Sequence, residues 1–517
     1  MELFQLCEAA GISCSECDRH MEISKPVADS REAVEGCLYI CIRGFRTDGH
    51  RYIAEAVRKG AVCVLTEDGE GEVPKGICRL STSNTRRAAA MLFNAYYGDP
   101  CSKLKFIGVT GTNGKTSVTH LLRSILETAL CKCGLIGTVG CESAGRCLSA
   151  GGSDPLANMT TPDPPALYRI LSEMVRDGVE YVLMEVTSHS LALDKTAPIR
   201  FEAGIFTNLT PEHLDFHQTM DAYANAKAKL FSACRLAILN GDSPYADRMA
   251  SACKGKTVFC GVSRGNYLAT DISLNGQSGV AYRLVSPSLR LHLQCPIAGS
   301  FSVMNSMQAA VCALELGFSA AAVKEALKTP SGVKGRMERL KLGVEADFGV
   351  IIDYAHTPDA LEKLLRTARD FCKGGERVVV VFGCGGDRDR SKRPLMGAVA
   401  ERYADRVILT SDNSRGESPL EIIREIRMGM SLEKECVISD RREAIRYAIL
   451  TAKPRDLILL AGKGHEEYEI IGSERKAFSE REIAKEAFEE RIRERKKQTF
   501  TIEQRGEGTR SEHENEI

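Results

Sequence analysis

Neither sign of charge predominates in this chain: Lys+Arg and Asp+Glu are 69 each, a formal net charge of zero over 517 residues. That balance excludes the bulk basicity of a nucleic-acid or membrane-surface binder, so any anion the protein holds must be met by a local site. No run of 18 apolar residues occurs, which argues against a membrane-spanning helix. The opening Met1-Glu-Leu-Phe-Gln5 lacks the basic and apolar regions of a secretory leader, and a cytoplasmic protein is the expectation. Zinc-type cysteine pairing is missing too. Cys14-Ser-Glu-Cys17 has the spacing of a metal or redox pair, but no second cysteine or histidine pair follows at zinc-site distance. The 20 cysteines scatter as singletons in apolar runs such as Cys37-Leu-Tyr-Ile-Cys41, as small core residues do in a reducing compartment.

What is present is 43% hydrophobic residues, 27% charged residues and 45 glycines, the composition of a globular protein rich in tight turns. At about 150 residues per domain, a chain this long predicts three or so domains. The stretch that organises it is Phe106-Ile-Gly-Val-Thr-Gly-Thr-Asn-Gly-Lys-Thr-Ser117. It joins a short apolar strand to a helix whose Val118, Leu121, Leu122, Ile125 and Leu126 repeat at the helical period. Gly111 and Gly114 let the backbone turn with its N–H groups close to an anion, and the helix points its positive dipole end at the same place. Lys115 supplies a mobile cation for phosphates and Thr116 a hydroxyl suited to Mg²⁺. The strict pattern GxxxxGK(S/T) is not met, because position 109 is Val.

The spacing predicts an α/β protein in three domains and a tail. Residues 1–100 read as a small α/β unit, with strands at Cys37–Ile42 and Ala61–Thr66 and helices at Arg51–Lys59 and Thr85–Tyr97. Two polar turns there, Ala28–Arg31 and Arg43–Gly49, are either ligand contacts or plain turn chemistry. Residues 101–332 form the phosphate-binding domain, a central P-loop-type ATPase sheet. In it Gly140–Asn158 is weakly patterned and 257–295 reads as extended hairpins. Tyr181–Val186 reads as a strand buried on both faces, so Glu185 near its end needs a metal or a buried ion pair. The loop Asn208–His217 carries two histidines and two carboxylates. In the helix Met220–Phe231, Lys227 and Lys229 look solvated on composition alone.

Residues 333–492 predict a Rossmann-like, doubly wound sheet whose strands end in polar loops at Asp353–His356, Gly383–Arg388, Ser411–Arg415 and Ala461–Glu466. Ligands bind beyond the carboxyl ends of such strands, so these loops are expected to line one cleft. Residues 493–517 are charged and predict disorder. An ATP site facing an amino-acid-sized polar cleft fits activation of a carboxylate as an acyl phosphate and its capture by an amine.

Ordered motifs along nearly the whole chain resemble those of the Mur ligases, and most closely the type that adds the third amino acid of the peptidoglycan stem peptide. They are Asp29-Ser-Arg31, the variant loop Gly111-Thr-Asn-Gly-Lys-Thr116, Thr160-Thr-Pro162, Met184-Glu-Val-Thr-Ser-His189, Thr207–His217, Ala226-Lys227, Gly335-Arg-Met-Glu338, Asp353–Asp359, Gly385-Gly-Asp-Arg388 and Gly462-Lys-Gly-His-Glu466. The resemblance implies an N-terminal domain for the UDP moiety, a central ATPase and a C-terminal domain receiving the amino acid. It implies ATP at Gly111, Thr112, Asn113, Gly114, Lys115, Thr116 and Ser117, with Asn305, Arg336, Asp353 and His356. Ser30, Thr160, Thr161, Thr187 and Lys195 are implied for the UDP-muramoyl dipeptide. Mg²⁺ would be met by Thr116, Glu185, His213 and Lys227, the last carrying a carbamate formed with CO₂. Lys115, Lys227 and His213 are the implied catalytic set.

For the incoming amino acid the implied residues are Arg388, Asp412, Asn413, Ser414, Arg415, Gly462 and Glu466. Enzymes of this type that take meso-diaminopimelate usually carry Asp-Asn-Pro-Arg where this chain has Asp412-Asn-Ser-Arg415, with the Arg meeting the distal carboxylate. Ser414 loosens that loop, and Lys195 stands where the family often has Arg. The partners implied are small molecules, namely ATP, the UDP-dipeptide and diaminopimelate. No nucleic acid, no membrane insertion and a monomeric chain are expected. The alternatives are a lysine-adding ligase of the same type and a non-catalytic ATP-binding scaffold.

Overall fold

Apolar runs alternating with amphipathic helices fold into parallel sheets here, because strands buried on both faces need helices on either side. A computed structural model of the protein describes residues 1–14, 20–44, 47–148, 159–329, 332–372, 374–431 and 435–511. Cys17 of the Cys14–Cys17 pair and residues 149–158 of Gly140–Asn158 therefore lie outside the described residues. The chain forms two compact units, one of Met1–Asp271, Tyr282–Leu293 and Met304–Pro330, the other of Ile272–Ala281, Gln294–Val303 and Ser331–Ile517.

The first unit holds a four-stranded parallel sheet in the order Pro26–Val27, Cys37–Ile40, Ala61–Glu67, Cys78–Thr82. Its larger sheet runs through six parallel strands in the order Lys256–Gly261, Cys234–Asn240, Phe201–Phe206, Lys105–Thr110, Tyr181–Glu185, Cys133–Gly137. Antiparallel strands Gly140–Ser143 and Arg146–Cys147 finish one edge. The reading of 257–295 as hairpins needs correction at its start: Lys256–Gly261 lies parallel to Cys234–Asn240, with Val258 opposite Ile238. The crossover that permits this is the helix Ala246–Ala252, seven residues long and too short for its period to stand out in the sequence. Lys105–Thr110, which feeds the phosphate loop, sits in the middle of the sheet, between the strands ending at Glu185 and Phe206.

In the second unit the order is Glu338–Arg339, Gly349–Asp353, Leu457–Ala461, Val378–Phe382, Arg406–Leu409, Glu435–Val437, parallel except for the first strand. Val378, Val380 and Phe382 pack with Leu361, Leu364, Met396 and Ile423 on one face. Val379 and Val381 pack with Ile445, Ile449 and Ile483 on the other. The period of two thus accounts for the doubly wound arrangement directly.

The helix Glu480–Ser511 runs on through the charged stretch that the sequence reads as a disordered tail from 493; residues 512–517 lie outside the described residues. Its early turns pack Ile483, Ala484, Ala487 and Phe488 into the core, and further along it is fastened by charged side chains, which a hydrophobicity reading undervalues. Arg491 donates to Ile449 O at 2.6 Å and Arg495 pairs with Asp347 at 3.1 Å. Near its start, Glu480 accepts from Nε and Nη2 of the fully buried Arg441 at 2.9 and 2.8 Å. Arg441 also donates to Ser411 O and Ala461 O, the carbonyls that begin two of the polar loops. Removing one member of a buried pair leaves the other charge uncompensated, so Arg441→Ala is expected to destabilise the second unit by about 3–5 kcal/mol, read as a lowered denaturant midpoint.

Candidate functional site

Three neighbouring strands, 105–110, 181–185 and 201–206, deliver their following loops to the same sheet edge. The loops are stitched together there. Thr110 Oγ1 donates to Val186 O at 2.8 Å, and Thr207 Oγ1 donates to Asn113 O at 2.6 Å. Asn208 brackets the phosphate loop: its Oδ1 accepts from Asn113 N–H and its Nδ2 donates to Asn113 O, both at 3.0 Å. Gly111 is required rather than merely permitted, since its φ is +147° and a Cβ there would sit 1.9 Å from Thr207 Oγ1. Gly114, with φ +89°, caps the helix Lys115–Thr128 and lies against the Asn305 carboxamide. Thr112 is held by Thr210 and by the Tyr223 hydroxyl. Thr116 is buried and Ser117 partly exposed in the first turn.

Two lysines converge on one carbonyl of this loop. Lys115 Nζ donates to Gly111 O at 2.9 Å and to Thr112 O at 2.8 Å; Lys227 Nζ donates to the same Gly111 O at 3.0 Å. Lys227 is 1% exposed and lies over the Tyr223 ring, one helical turn away. Burial holds its ammonium far below the ordinary lysine range, the nearby Lys115 charge adds to this, and Glu212 opposes it. Composition alone makes both lysines of Ala226-Lys-Ala-Lys229 solvated; only Lys229 is, half exposed and 3.5 Å from Asp194.

Glu185 is 1% exposed, and its carboxylate is met by Thr138, whose N–H and hydroxyl both donate at 2.9 Å, rather than by the cation of a buried ion pair. Thr138 Oγ1 lies 3.1 Å from Thr160 Oγ1, while Thr161 Oγ1 donates to Glu185 O and accepts from Thr187 N–H. Thr160, Thr161, Thr187 and Glu185 are thus one connected group. Lys195 pairs with Asp163 at 2.6 Å beside it. With the Thr116 hydroxyl and the Glu185 carboxylate at one sheet edge, the oxygen donors fit a hard cation such as Mg²⁺.

His213 has φ +56°, a strained backbone of the kind that gathers at functional sites. Its ring meets His189 edge-on at 4.8 Å, and His217 stacks on Tyr223 at 5.0 Å and hydrogen-bonds Ser188 Oγ at 2.9 Å. Burial first, then neighbouring imidazoles, lower His189 and His217 to about 4, so both are neutral near pH 7. Ser30, among the first hundred residues, is buried and donates to Glu55, with Lys59 on its carbonyl.

In the second unit the polar loops again follow the strands. Asp353 accepts from the N–H groups of Met337 and Ala355 at 2.7 and 2.9 Å, and burial raises its carboxyl despite Arg336 nearby. Arg336 lies over Tyr354, and His356 Nδ1 meets Tyr354 O at 2.8 Å. Asp412, Asn413 and Ser414 are buried, and Arg388 is exposed on the loop after Val378–Phe382. Arg415 has φ +49° and donates from Nη1 to Gly386 O at 2.8 Å. Gly462, with φ +117°, leaves the room that Asp412 occupies. Glu466 accepts from Asn413 Nδ2 at 2.8 Å. Burial, then Asp412, raises the Glu466 carboxyl; burial opposes Asp412 as well, but Lys463 and Arg441 hold it low.

Sequence reasoning missed several supports. Thr138, Tyr223 and Arg393 have no local pattern that marks them, and Lys463 lies in the Gly462–Glu466 motif without an assigned role. Arg393, fully buried, grips Glu417 and Glu425 and reaches Gly385 O, and Glu417 in turn holds Asp387 N–H.

A glycine-turned loop that aims a helix N-terminus and a lysine at one edge of a parallel sheet defines a nucleotide-phosphate-binding α/β protein. Residues 109–313 match the Mur ligase middle domain, 335–464 the Mur ligase glutamate ligase domain and 23–97 the Mur ligase family catalytic domain. The chain belongs to the Mur ligase family of ATP-dependent ligases. It is 44% identical over 475 residues, 91% of this chain and 96% of the other, to a UDP-N-acetylmuramoyl-L-alanyl-D-glutamate--2,6-diaminopimelate ligase of Caldanaerobacter subterraneus. A protein of the same name from Clostridioides difficile is 41% identical over 474 residues, 90% of this chain and 95% of the other. A solved structure of that name covers 95% of this chain and all of its own at 29% identity and a TM-score of 0.66. A MurF ligase of Thermotoga maritima in complex with ADP shares the fold, at 17% identity over 91% of this chain and 98% of its own, with a TM-score of 0.60. Among the described residues no helix is long and apolar enough to cross a membrane.

Proposed function

We propose that the protein adds meso-diaminopimelate to UDP-N-acetylmuramoyl-L-alanyl-D-glutamate with consumption of ATP, as the names of its relatives suggest. The observation that carries the choice of amino acid is the Asp412–Arg415 loop. It carries the Arg415 guanidinium, whose Nη1 donates to Gly386 O and whose fork matches a second carboxylate and would repel the distal ammonium of lysine.

The substrate's D-glutamate side-branch carboxylate attacks the γ-phosphorus of ATP and ADP leaves. The α-amine of the amino acid then attacks the acyl phosphate, and the tetrahedral intermediate loses phosphate to give the amide. Gly111–Ser117 hold the phosphates with backbone N–H groups and the Lys115 ammonium, which must turn from its own loop carbonyls to do so. Asn305, Arg336, Asp353 and His356 are assigned to the nucleotide. Ser30, Thr160, Thr161, Thr187 and Lys195 are assigned to the UDP-dipeptide. Arg388, Asp412, Asn413, Ser414, Arg415, Gly462 and Glu466 are assigned to diaminopimelate.

Mg²⁺, when bound, would neutralise charge on the transferring phosphoryl group. Thr116, Glu185, His213 and Lys227 are the residues to hold it. Burial favours a neutral Lys227 amine, which can attack CO₂, form an N–C bond and release a proton, leaving a carbamate anion. A monomeric, cytoplasmic enzyme working on small molecules completes the reading.

The test is phosphate release from ATP with the UDP-dipeptide and each amino acid in turn. Release that depends on diaminopimelate and not on lysine is expected. Release supported equally by lysine overturns the choice of amino acid, and no amine-dependent release overturns the ligase reading in favour of a scaffold.

A further inference from the structure

The assignment of the second-unit loops leaves one buried charge without a role. Lys463 is 0% exposed, yet it stands between two polar loops that each carry a carboxylate. Its Nζ donates to Asn413 Oδ1 at 3.0 Å and to Tyr468 O at 2.7 Å. Asp412 and Glu466 lie 3.9 and 3.8 Å away. The rings of Tyr468 and Phe478, with centroids 5.9 and 5.5 Å from Nζ, close the other sides. A lysine ammonium is expensive to bury, and one kept in this setting is tied to what it touches.

What it touches is the Asn413 carboxamide. Asn413 Oδ1 accepts twice, from Lys463 and from Ile470 N–H at 2.9 Å, so its Nδ2 is turned the one way that lets it donate to Glu466 Oε2. The same strand, Tyr468–Ile471, also fixes Arg415. Arg415 N–H donates to Ile470 O at 3.1 Å, and Gly472 N–H donates to Arg415 O at 2.8 Å. Asn413, Glu466 and Arg415 therefore share one support, with Lys463 at its centre.

We propose that Lys463 is a positioning residue of the amino-acid pocket: its ammonium orients Asn413, and through it Glu466, while separating the Asp412 and Glu466 carboxylates, so that a zwitterionic distal end is accepted. The inference rests on the reading of these loops as the diaminopimelate site. Without the ammonium, two carboxylates face each other across an amide whose oxygen is held by the Ile470 N–H alone, a pocket better suited to a lone distal ammonium than to an ammonium with a carboxylate.

The experiment measures KM for diaminopimelate, lysine, ATP and the UDP-dipeptide in the wild type, Lys463→Met and Lys463→Gln. Glutamine keeps a donor for Asn413 Oδ1 but no charge, and it provides the reading if the methionine variant does not fold. KM for diaminopimelate is expected to rise about tenfold or more in the methionine variant and less in the glutamine variant, with both nucleotide KM values within about twofold and the preference for diaminopimelate over lysine reduced. An unchanged diaminopimelate KM, or an equal rise in every KM, overturns the proposal. A wild type with no diaminopimelate-dependent turnover overturns the ligase assignment instead, and is distinguishable because it precedes any variant.

Discussion

Lys227→Ala is expected to lose ligase activity by about a thousandfold or more, the scale of a positioned charge at a phosphoryl-transfer site. Small carboxylates such as formate or acetate are expected to restore part of it. The argument turns on the neighbourhood of Nζ. Lys227 and Lys115 share the Gly111 carbonyl, two cations on one acceptor in a buried place, and the aromatic ring of Tyr223 lies at 4.6 Å. Burial first, then the Lys115 charge beside it, lowers Lys227 and so favours its neutral amine. A neutral amine there is the species that takes up CO₂, and the carbamate would turn a repulsive pair into an attractive one across Gly111. Alanine leaves the space that an added carboxylate can enter. Full activity in the alanine variant would sink the carbamate assignment, and loss without rescue by any small carboxylate would reduce Lys227 to a packing role. Because burial lowers the lysine in the folded state, the neutral form costs stability only at pH values below its unfolded range, so added acid, not base, should weaken the fold at this residue.

Arg415→Ala is expected to lower kcat/KM for diaminopimelate by about a hundredfold and to leave addition of lysine unchanged or improved. Two charge-assisted hydrogen bonds to the distal carboxylate, each about 1.5 kcal/mol, account for that factor. The backbone is not the cause, since position 415 has φ +49° and arginine and alanine are equally ill suited to it. Its N–H and C=O remain on Ile470 and Gly472 in the variant. Ser414 in place of proline does not leave the loop loose: Ser414 is 3% exposed, its carbonyl accepts from Glu417 N–H, and Gly386 packs against that same carbonyl. The restriction that proline would supply through φ is supplied here by packing. If diaminopimelate addition survives Arg415→Ala at its original rate, the specificity argument fails while the ligase reaction stands.

Much of this is legible in the sequence. The strand, turn and helix of Phe106–Ser117 could be read because each signal is local: apolar run, glycine, lysine and a 3.6-residue repeat within a dozen positions. The second unit was legible for a similar reason, since continuous apolar strands alternating with amphipathic helices have few ways to pack. The helix Ala246–Ala252 was missed because seven residues carry barely two helical turns of pattern. Charged anchoring of the helix Glu480–Ser511 was missed because Arg491 and Arg495 find their partners, Ile449 and Asp347, far away in the chain.

The sequence by itself determined the α/β class, the order of the strands' polar loops and the glycine turn that joins strand to helix at Gly111–Thr116, all of which follow from local spacing. Only the tertiary structure decided the surroundings of the lysines. Ala226-Lys-Ala-Lys229 is a symmetrical pattern on paper, but one ammonium reaches Leu191 O and Asp194 at the surface and the other reaches Gly111 O in the interior. In the same way Lys463 looks like any lysine between glycines until Asn413, 50 positions earlier, closes over it. Burial and hydrogen-bond partnership set a side chain's charge, and both are properties of residues distant in sequence that only the folded chain brings together.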